Sequence, residues 1–327
     1  MSKNSEGSLG YQMMKALQGI FQPGTSRYKA KRYHRDAELI TGISTMRCMS
    51  ADVHQFARYI RFNWPQVKHL PEIHTEMALA YIMVLEQQER SGGRIGRVCA
   101  SIRKLDFACR KAGIFTADSP PLLPYKDQGG PGSFHSEPRP VAYTDEETQT
   151  IIAHITPSDP VVARLLTLMR VTGLRVREAS YLKAIDIDLE QCALSLNTED
   201  NSNRTKGGRP RQVIFAPEHR AILEHLKHLG EENPTGHIFH DRRSLPDRAR
   251  VCVRKACSDL NILSLGTHGF RKTFAEGDYQ RNIQAGANDL QALLKTAKQL
   301  GHNRAEVTRQ SYISPSHRKR SGRRRSG

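Results

Sequence analysis

The chain has 327 residues, of which 38% are hydrophobic and 25% are charged, so it has room for two domains and its composition excludes a disordered protein. Its apolar runs are too short to span a bilayer, and residues 1–26 lack the apolar core of a signal peptide, so we expect a cytoplasmic protein without a membrane partner. The net charge of +17 predicts a polyanionic partner, with nucleic acid as the first candidate and a solvated basic surface or a membrane surface as the alternatives.

The cysteines form no recognisable metal or disulfide pattern. None of the six belongs to a C-x-x-C pair, and no cluster of histidine and cysteine indicates zinc. We therefore expect reduced thiols, which are usual in the cytosol, and neither a metal nor another cofactor. The cysteines are Cys48, Cys99, Cys109, Cys192, Cys252 and Cys257.

The first part of the chain predicts an arm followed by a small helical domain. Residues 1–40 are polar and basic, contain Pro23 and Gly24, and indicate a flexible basic arm. Over 41–115, apolar residues recur at helical spacing in three segments, which predicts a compact all-helical domain. The segments are 46–62, 72–88 and 95–113.

The last of these helices is rich in cations. A solvated charged face explains any one of them, but on a chain of net charge +17 the helix is a candidate for lying along a DNA groove. The DNA-binding candidates are Arg94, Arg97, Arg103 and Lys104.

A segment with many prolines and glycines, 116–142, predicts a linker to a second domain. That domain is expected over 143–314, and a basic tail, 315–327, follows it. It opens with Thr144 and Glu147 at the spacing of a capping box, which marks the start of a helix.

Within the second domain, 186–197 and 211–216 are expected to be strands on either side of a polar hairpin. Helices are expected before and after this region, so the expected fold class is mainly α with a small antiparallel β-sheet (α+β). The later helices are expected at about 217–229, 245–260, 268–282 and 288–300.

Four short motifs of the second domain contain residue types that suit phosphate chemistry. Each one by itself has an ordinary structural explanation, so their combination and order carry the argument. The motifs are TGLRVRE at 172–178, TKGGRPRQVIF at 205–215, THGFRKTF at 267–274 and LGHNRAEVTRQSYI at 300–313.

The first two motifs offer one cation each. Glu178 follows Arg175 by three residues and can hold its guanidinium ready for bidentate contact with phosphate, although a structural ion pair is the alternative. Lys206 lies in a glycine-rich hairpin, where its ammonium can approach a leaving oxygen; a solvated turn lysine is the alternative.

The third motif places His268 and Arg271 three positions apart, on one face of a helix. Both side chains can then reach one phosphate. The same spacing also begins at His240 and at His317, so it is weak evidence alone, and a partly buried structural histidine is the alternative.

In this order and in these frames, the four motifs resemble the tyrosine recombinase family, also called phage-type integrases, whose chemistry is shared with type IB topoisomerases. The resemblance covers 143–314, and 41–115 looks like the family's helical core-binding (SAM-like) DNA-binding domain. It implies that Tyr312 is the nucleophile and that Glu178 supports the site. The catalytic set it implies is Arg175, Lys206, His268, Arg271, His302 and Tyr312.

The chain departs from the family pattern in its last motifs. Tyr312 follows His302 by ten positions instead of the more usual nine. The stretch between the HGFR and LGH sequences is also longer than in compact members.

These residue types suit phosphoryl transfer without a metal ion. Arg175 and Arg271 can neutralise the charge of a five-coordinate transition state. The phenol of Tyr312 needs a base, for which His268 is the candidate, and Lys206 can protonate the departing 5′ oxygen. The resemblance implies that His302 hydrogen-bonds the scissile phosphate, and that a 3′-phosphotyrosyl intermediate is resealed by a 5′ hydroxyl without ATP.

We therefore expect a site-specific DNA recombinase or integrase of a mobile element, acting on double-stranded DNA as a homo-multimer, a tetramer. It would reside in the bacterial cytoplasm and associate with the nucleoid when bound to DNA. Two alternatives remain, a DNA-binding protein of the same fold that no longer cleaves and a topoisomerase IB-like enzyme that relaxes supercoils.

Overall fold

The computed structural model describes residues 7–25, 39–132, 134, 142–196, 210–302 and 305–313. The chain divides into two compact units, 1–137 and 138–327, each with its own hydrophobic core. Over the described residues, no helix is both long enough and apolar enough to cross a membrane.

The described residues of the first unit form four α-helices. The apolar residues that recur at helical spacing in the sequence face the core. Val53, Phe56 and Ile60 are buried on the second helix, and Val98 and Ile102 are buried on the fourth. The helices are α1 Leu9–Gln18, α2 Ile43–Asn63, α3 Thr75–Gln87 and α4 Gly92–Lys111, with 3-10 turns at Leu70–Glu72 and Lys126–Gln128.

The prediction of a flexible arm over 1–40 is wrong for the residues of α1. Met13 and Leu17 are fully buried in the core of the first unit, and Ser8 caps the helix by accepting a hydrogen bond from the backbone of Tyr11. The apolar residues of α1 recur at helical spacing on one face, and burial of that face outweighs the polar average of the segment. Residues 1–6 and 26–38 of the predicted arm lie outside the described residues.

The predicted linker also begins too early. Leu122 and Leu123 are buried in the core of the first unit, and the backbone N–H of Leu122 donates to Asp106 on α4 at 3.1 Å. Arg103 donates to the carbonyls of Leu123 and Pro124. Side chains of α4 thus satisfy backbone groups that a proline-rich segment cannot pair by itself, and the first unit extends beyond residue 115.

The described part of the second unit contains eight α-helices around a small sheet, so the chain is mainly α with a small antiparallel sheet, as predicted. The capping box is present: Thr144 N–H donates to Glu147 at 2.7 Å, and Glu147 N–H donates to Thr144 at 3.0 Å. The helices are α5 Asp145–Ile155, α6 Pro160–Thr172, α7 Val176–Ser180, α8 Arg220–Glu231, α9 Leu245–Asp259, α10 Thr267–Gln284, α11 Asp289–Leu300 and α12 Ala305–Tyr312. Further 3-10 turns lie at Ala184–Asp186 and Pro217–His219.

The sheet has three antiparallel strands in the order β1 Ile187–Asp188, β2 Ala193–Leu196 and β3 Arg211–Ile214. The predicted strand over 186–197 is therefore two strands, because a turn through Cys192, at a φ of 48°, reverses the chain. The backbone N–H of Ile214 donates to Gln299 at 2.9 Å, which ties β3 to α11. Residues 197–209, which hold nearly all of the predicted hairpin, lie outside the described residues.

Candidate active site

A glycine turn after α6 places the first cation of the site. Gly173 has a φ of +65°, and a Cβ built there would lie 2.2 Å from the ring of Phe274, so both the conformation and the space require glycine. The turn lets Arg175 precede α7, where its backbone N–H donates to Glu178 at 2.9 Å and its guanidinium donates to the same carboxylate at 2.7 Å. The predicted pair of Arg175 and Glu178 is therefore formed.

Three arginines lie around the carboxylate of Glu178. Besides Arg175, Arg211 of β3 donates to both carboxylate oxygens, at 3.1 and 2.7 Å, and a guanidinium nitrogen of Arg271 lies 3.9 Å away. Burial alone would raise the pKa of Glu178, which is 1% exposed, but the hydrogen bonds and charge of Arg211, with the charges of Arg175 and Arg271, lower that pKa to about 2. The carboxylate is thus ionised and fixes the positions of the three cations.

Arg271 is fully buried on α10, with its guanidinium at the centre of the site. Its two terminal nitrogens donate to the carbonyls of Gly173 and Leu300. Its Nε has no hydrogen-bond partner among the described residues. Burial, followed by the charge of Arg175, lowers the pKa of Arg271 to about 10, which still leaves it protonated near neutral pH.

Tyr312, at the end of α12, packs against both predicted histidines. Its hydroxyl lies 3.0 Å from Nε2 of His268, and its ring centroid lies 4.7 Å from that of His302. The guanidinium carbon of Arg271 lies 5.7 Å from the tyrosine ring centroid. Nδ1 of His302 lies 2.9 Å from the hydroxyl of Thr308, a hydrogen bond that orients the imidazole ring. The nucleophile candidate therefore touches a possible base and a cation.

Both histidines are neutral in this environment. Desolvation by the surrounding protein, with the charges of Arg271, Lys272 and Arg175, lowers the pKa of His268 to about 4, although the residue is partly exposed to solvent. Desolvation and the same arginines lower the pKa of His302 to about 4. A neutral His268 can accept the tyrosine proton in a hydrogen bond, as a general base must.

An open cleft of about 370 Å³ leads to the site. It is lined by Arg175 and His268 and by two further cations, Arg177 and Arg250. A polyanion entering the cleft would meet positive charge on several sides. Within the described residues, no group of three or more His, Cys, Asp or Glu side chains is placed to hold a metal ion.

The structure thus brings together residues that are far apart in the sequence and come from α7, α10, α12 and the turns beside them. The ten-residue spacing between His302 and Tyr312 does not separate their rings. Lys206 lies outside the described residues, so its place in the site stays a prediction. The predicted residues that meet are Arg175, Glu178, His268, Arg271, His302 and Tyr312.

Sequence reasoning missed two residues of the site, Arg211 and Thr308. Arg211 begins β3 directly after a glycine-rich and basic stretch, where one more arginine carries no distinctive signal. Thr308 precedes Tyr312 by four positions, one helical turn, and this spacing is the only sign in the sequence that both could face the site.

The four DNA-binding candidates on α4 make contacts within the first unit. Arg97 forms a bidentate pair with the buried Asp52 at 3.1 and 3.0 Å, and Arg94 donates to a glutamine of α2 at 2.6 Å. Arg103 binds the carbonyls that follow α4, and the ammonium of Lys104 lies 5.9 Å from an aromatic ring centroid. These contacts explain the cations structurally, and DNA contact by them stays a prediction.

Known proteins share both the sequence pattern and the fold. Residues 142–318 match the family model described as the phage integrase family. The chain is 28% identical over 148 residues to a probable integrase/recombinase of Acholeplasma phage L2, covering 44% of this chain and only 45% of that protein. It is 23% identical over 261 residues to the tyrosine recombinase XerC of Anoxybacillus flavithermus (strain DSM 21510 / WK1), covering 73% of this chain and 81% of XerC.

Among solved structures, the XerH site-specific recombinase bound to palindromic difH substrate, a post-cleavage complex, superposes with a TM-score of 0.60 at 14% identity. That match covers 94% of this chain and 90% of the XerH chain, so the two share a fold. The family model spans more than half of the chain and includes every residue of the candidate site. The chain therefore belongs to the phage integrase family, the tyrosine recombinases, as its motifs predicted.

Proposed function

We propose that the chain is a site-specific DNA recombinase that cuts and rejoins DNA through a 3′-phosphotyrosyl intermediate. The observation that carries the proposal is the hydroxyl of Tyr312, 3.0 Å from Nε2 of the neutral His268 and next to the buried guanidinium of Arg271. A phenol in contact with a base and a fixed cation is equipped to become a nucleophile towards an anionic phosphodiester.

Cleavage follows from this geometry as one displacement at phosphorus. The oxygen of Tyr312 attacks the scissile phosphorus, its proton passes to Nε2 of His268, and the bond to the 5′ oxygen breaks. The 5′ oxygen leaves with a proton, a role that the family resemblance implies for Lys206. Attack by a 5′ hydroxyl of a second strand reverses the steps and releases Tyr312 without an external energy source.

The arginines supply the charge that the transition state requires. Arg271 cannot be displaced easily, since backbone carbonyls and Glu178 surround it, and Arg175 keeps 25% of its side chain exposed towards solvent. Such preorganised donors stabilise the negative charge that develops in the transition state. Removal of one of them is expected to slow cleavage by about 10²–10³-fold. The family resemblance implies that His302 also hydrogen-bonds this phosphate, and its Nε2 lies 3.5 Å from a terminal nitrogen of Arg271.

The proposal extends to partners and setting. The net charge of +17 and the cationic cleft suit double-stranded DNA, and the matched XerH structure contains a DNA substrate. A homo-multimer, a tetramer on DNA, and a location in the bacterial cytoplasm at the nucleoid complete the proposal. Its place in a mobile element is supported by the similarity to a phage protein.

A trapping experiment tests the proposal. The protein is incubated with a series of overlapping nicked duplexes. Together these duplexes cover the DNA on both sides of the gene, with any inverted repeats that this DNA contains. Covalent adducts are then separated by denaturing electrophoresis. The wild type should form an adduct, and Tyr312→Phe should form none while retaining DNA affinity. Binding without an adduct would indicate a silent DNA-binding protein, and relaxation of any supercoiled plasmid would indicate a topoisomerase IB-like enzyme.

A further inference from the structure

The helix that carries Tyr312 is held on its own subunit by two hydrophobic contacts. Tyr312 packs with Phe274 and Leu300, and Ile313 is buried with Tyr279 and Leu293. These contacts are made by α10 and α11 of the same unit. Hydrophobic contacts alone, however, fix the rotation and axial position of a short helix poorly, because they are not directional.

A directional contact lies one helical turn before the nucleophile. Arg309 precedes Tyr312 by three positions on α12, and its guanidinium donates to Oδ2 of Asp289 at 2.6 Å. The other carboxylate oxygen, Oδ1, accepts a hydrogen bond of 2.6 Å from the hydroxyl of Tyr279. Both oxygens of Asp289 are therefore engaged, by two different helices.

Tyr279 belongs to the helix that supplies the base and the buried cation. It follows His268 by eleven positions on α10, about three helical turns, so the two residues lie near the same face. Asp289 thus connects the helix of the nucleophile to the helix of the base. A shift of α12 against α10 would break one of the two hydrogen bonds.

We propose that Asp289 is a positioning residue for cleavage: through Arg309 and Tyr279 it holds α12 so that the Tyr312 hydroxyl meets His268. This inference rests on the proposed function. Asp289 touches neither Tyr312 nor His268 in the described contacts and acts only through their helices.

The two hydrogen bonds of Asp289, to Arg309 and to Tyr279, are together called the clamp, and their chemistry suits a stable contact. Tyr279 is fully buried, and this burial, together with the hydrogen bond and charge of Asp289, raises the pKa of its phenol to about 12. Tyr279 therefore remains a neutral donor near neutral pH. The contact of Arg309 with Asp289 is charge-assisted, and such hydrogen bonds are short and comparatively strong.

The decisive experiment uses two variants with opposite effects on charge. Asp289→Asn removes a negative charge and Arg309→Met removes a positive charge, so simple electrostatics predicts stronger DNA binding for the first and weaker binding for the second. The clamp predicts that both slow the single-turnover formation of the phosphotyrosyl adduct, by about tenfold, at saturating protein. The double variant should be no slower than the slower single variant.

Two results would overturn the proposal. One is a wild-type rate for Asp289→Asn alongside a slow Arg309→Met, which would assign Arg309 to DNA contact. The other is a wild-type rate for both variants. Glu306→Gln is the matched control, because Glu306 is exposed on α12 and approaches Arg309 only at 3.9 Å. It should leave the rate within about twofold.

A second measurement does not depend on activity. In the free protein, amide hydrogen exchange of α12 should be faster by about tenfold in Asp289→Asn and in Arg309→Met, with exchange in α6 unchanged. Unchanged exchange in α12 would overturn the clamp. If the wild type itself forms no adduct, the proposed function fails, and the exchange result still decides whether Asp289 holds the helix.

Discussion

The hydroxyl of Tyr312 meets Nε2 of His268 at 3.0 Å, although the two residues are 44 positions apart. Both belong to one unit of one chain, so a single chain contains the proposed nucleophile, its proposed base and the arginines that surround them.

The first prediction concerns the base. His268→Asn should slow adduct formation by about 10²–10⁴-fold, since no other group is placed to accept the tyrosine proton among the described contacts of Tyr312. Because the pKa of His268 lies near 4 instead of 6.5, the wild-type rate should stay level down to about pH 5 and fall as the pH approaches 4. Single-turnover trapping across pH measures this. If the rate already decreases once the pH is lowered below about 6.5, the lowered pKa of His268 is contradicted.

The lowered histidine pKa also predicts acid sensitivity of folding. An unfolded histidine binds a proton below pH 6.5, whereas His268 and His302 in the folded protein bind one only near pH 4. Between these values the unfolded state holds more protons, so the free energy of unfolding should decrease as the pH falls. Replacing both histidines by asparagine should reduce this decrease, as urea unfolding at several pH values can measure.

The second prediction concerns Glu178. Glu178→Gln should lower the free energy of unfolding by about 3–5 kcal/mol, because it leaves buried guanidinium groups without their counter-charge. Glu146→Gln, on the exposed face of α5, is the control and should change it by less than about 0.5 kcal/mol. Urea unfolding measures both.

The effect of Glu178→Gln on the free energy of unfolding should become smaller at low pH. The folded pKa of about 2 lies below the ordinary value of 4.5, so the stabilisation by Glu178 is present above pH 4.5 and is lost as the pH falls towards 2. The difference between wild type and Glu178→Gln should therefore narrow from about pH 5 to about pH 3. A difference that is constant with pH would show that the charge of Glu178 is not the cause.

The third prediction concerns Gly173. Gly173→Ala combines a left-handed backbone with a Cβ 2.2 Å from the ring of Phe274, so it should destabilise the protein by more than the backbone cost alone. Gly236→Ala is a matched control, since Gly236 has a φ of +69° and a Cβ built there has no atom within 4 Å beyond its own chain neighbours. The control should lower the free energy of unfolding by about 1 kcal/mol, and Gly173→Ala should lower it by about 2–4 kcal/mol. Thermal or urea unfolding measures both. Equal losses would mean that the Phe274 contact is unimportant.

The fourth prediction concerns Arg211, which the sequence did not single out. Arg211→Lys keeps the charge but cannot donate to both oxygens of Glu178 in the same planar geometry. Adduct formation should slow by about 10–10²-fold because the carboxylate that orients Arg175 and Arg271 loses its anchor. Arg220→Lys, exposed at the start of α8, should have the wild-type rate in the same assay. Equal rates for the two variants would contradict the positioning role of Arg211.

The sequence was informative where a local pattern determines a local structure. Thr144 and Glu147 predicted a helix start because a capping box needs only residues that are three positions apart. Residues 9–18 and 116–132 were misjudged for the opposite reason. Their average composition is typical of an arm and of a linker, but Met13 and Leu122 are buried by partners elsewhere in the first unit.

The amino-acid sequence by itself determined most of the longer helices, the class of fold, the order of the motifs and the family, all of which depend on residue types and on their spacing along the chain. Only the tertiary structure decided which of several cations lie together around Glu178. It selected Arg211 by placing β3 next to Glu178, and it set α12 on α10 so that Tyr312 faces His268. Such contacts arise from the packing of distant segments, and packing depends on side-chain shape and burial across the whole unit, which no local spacing records.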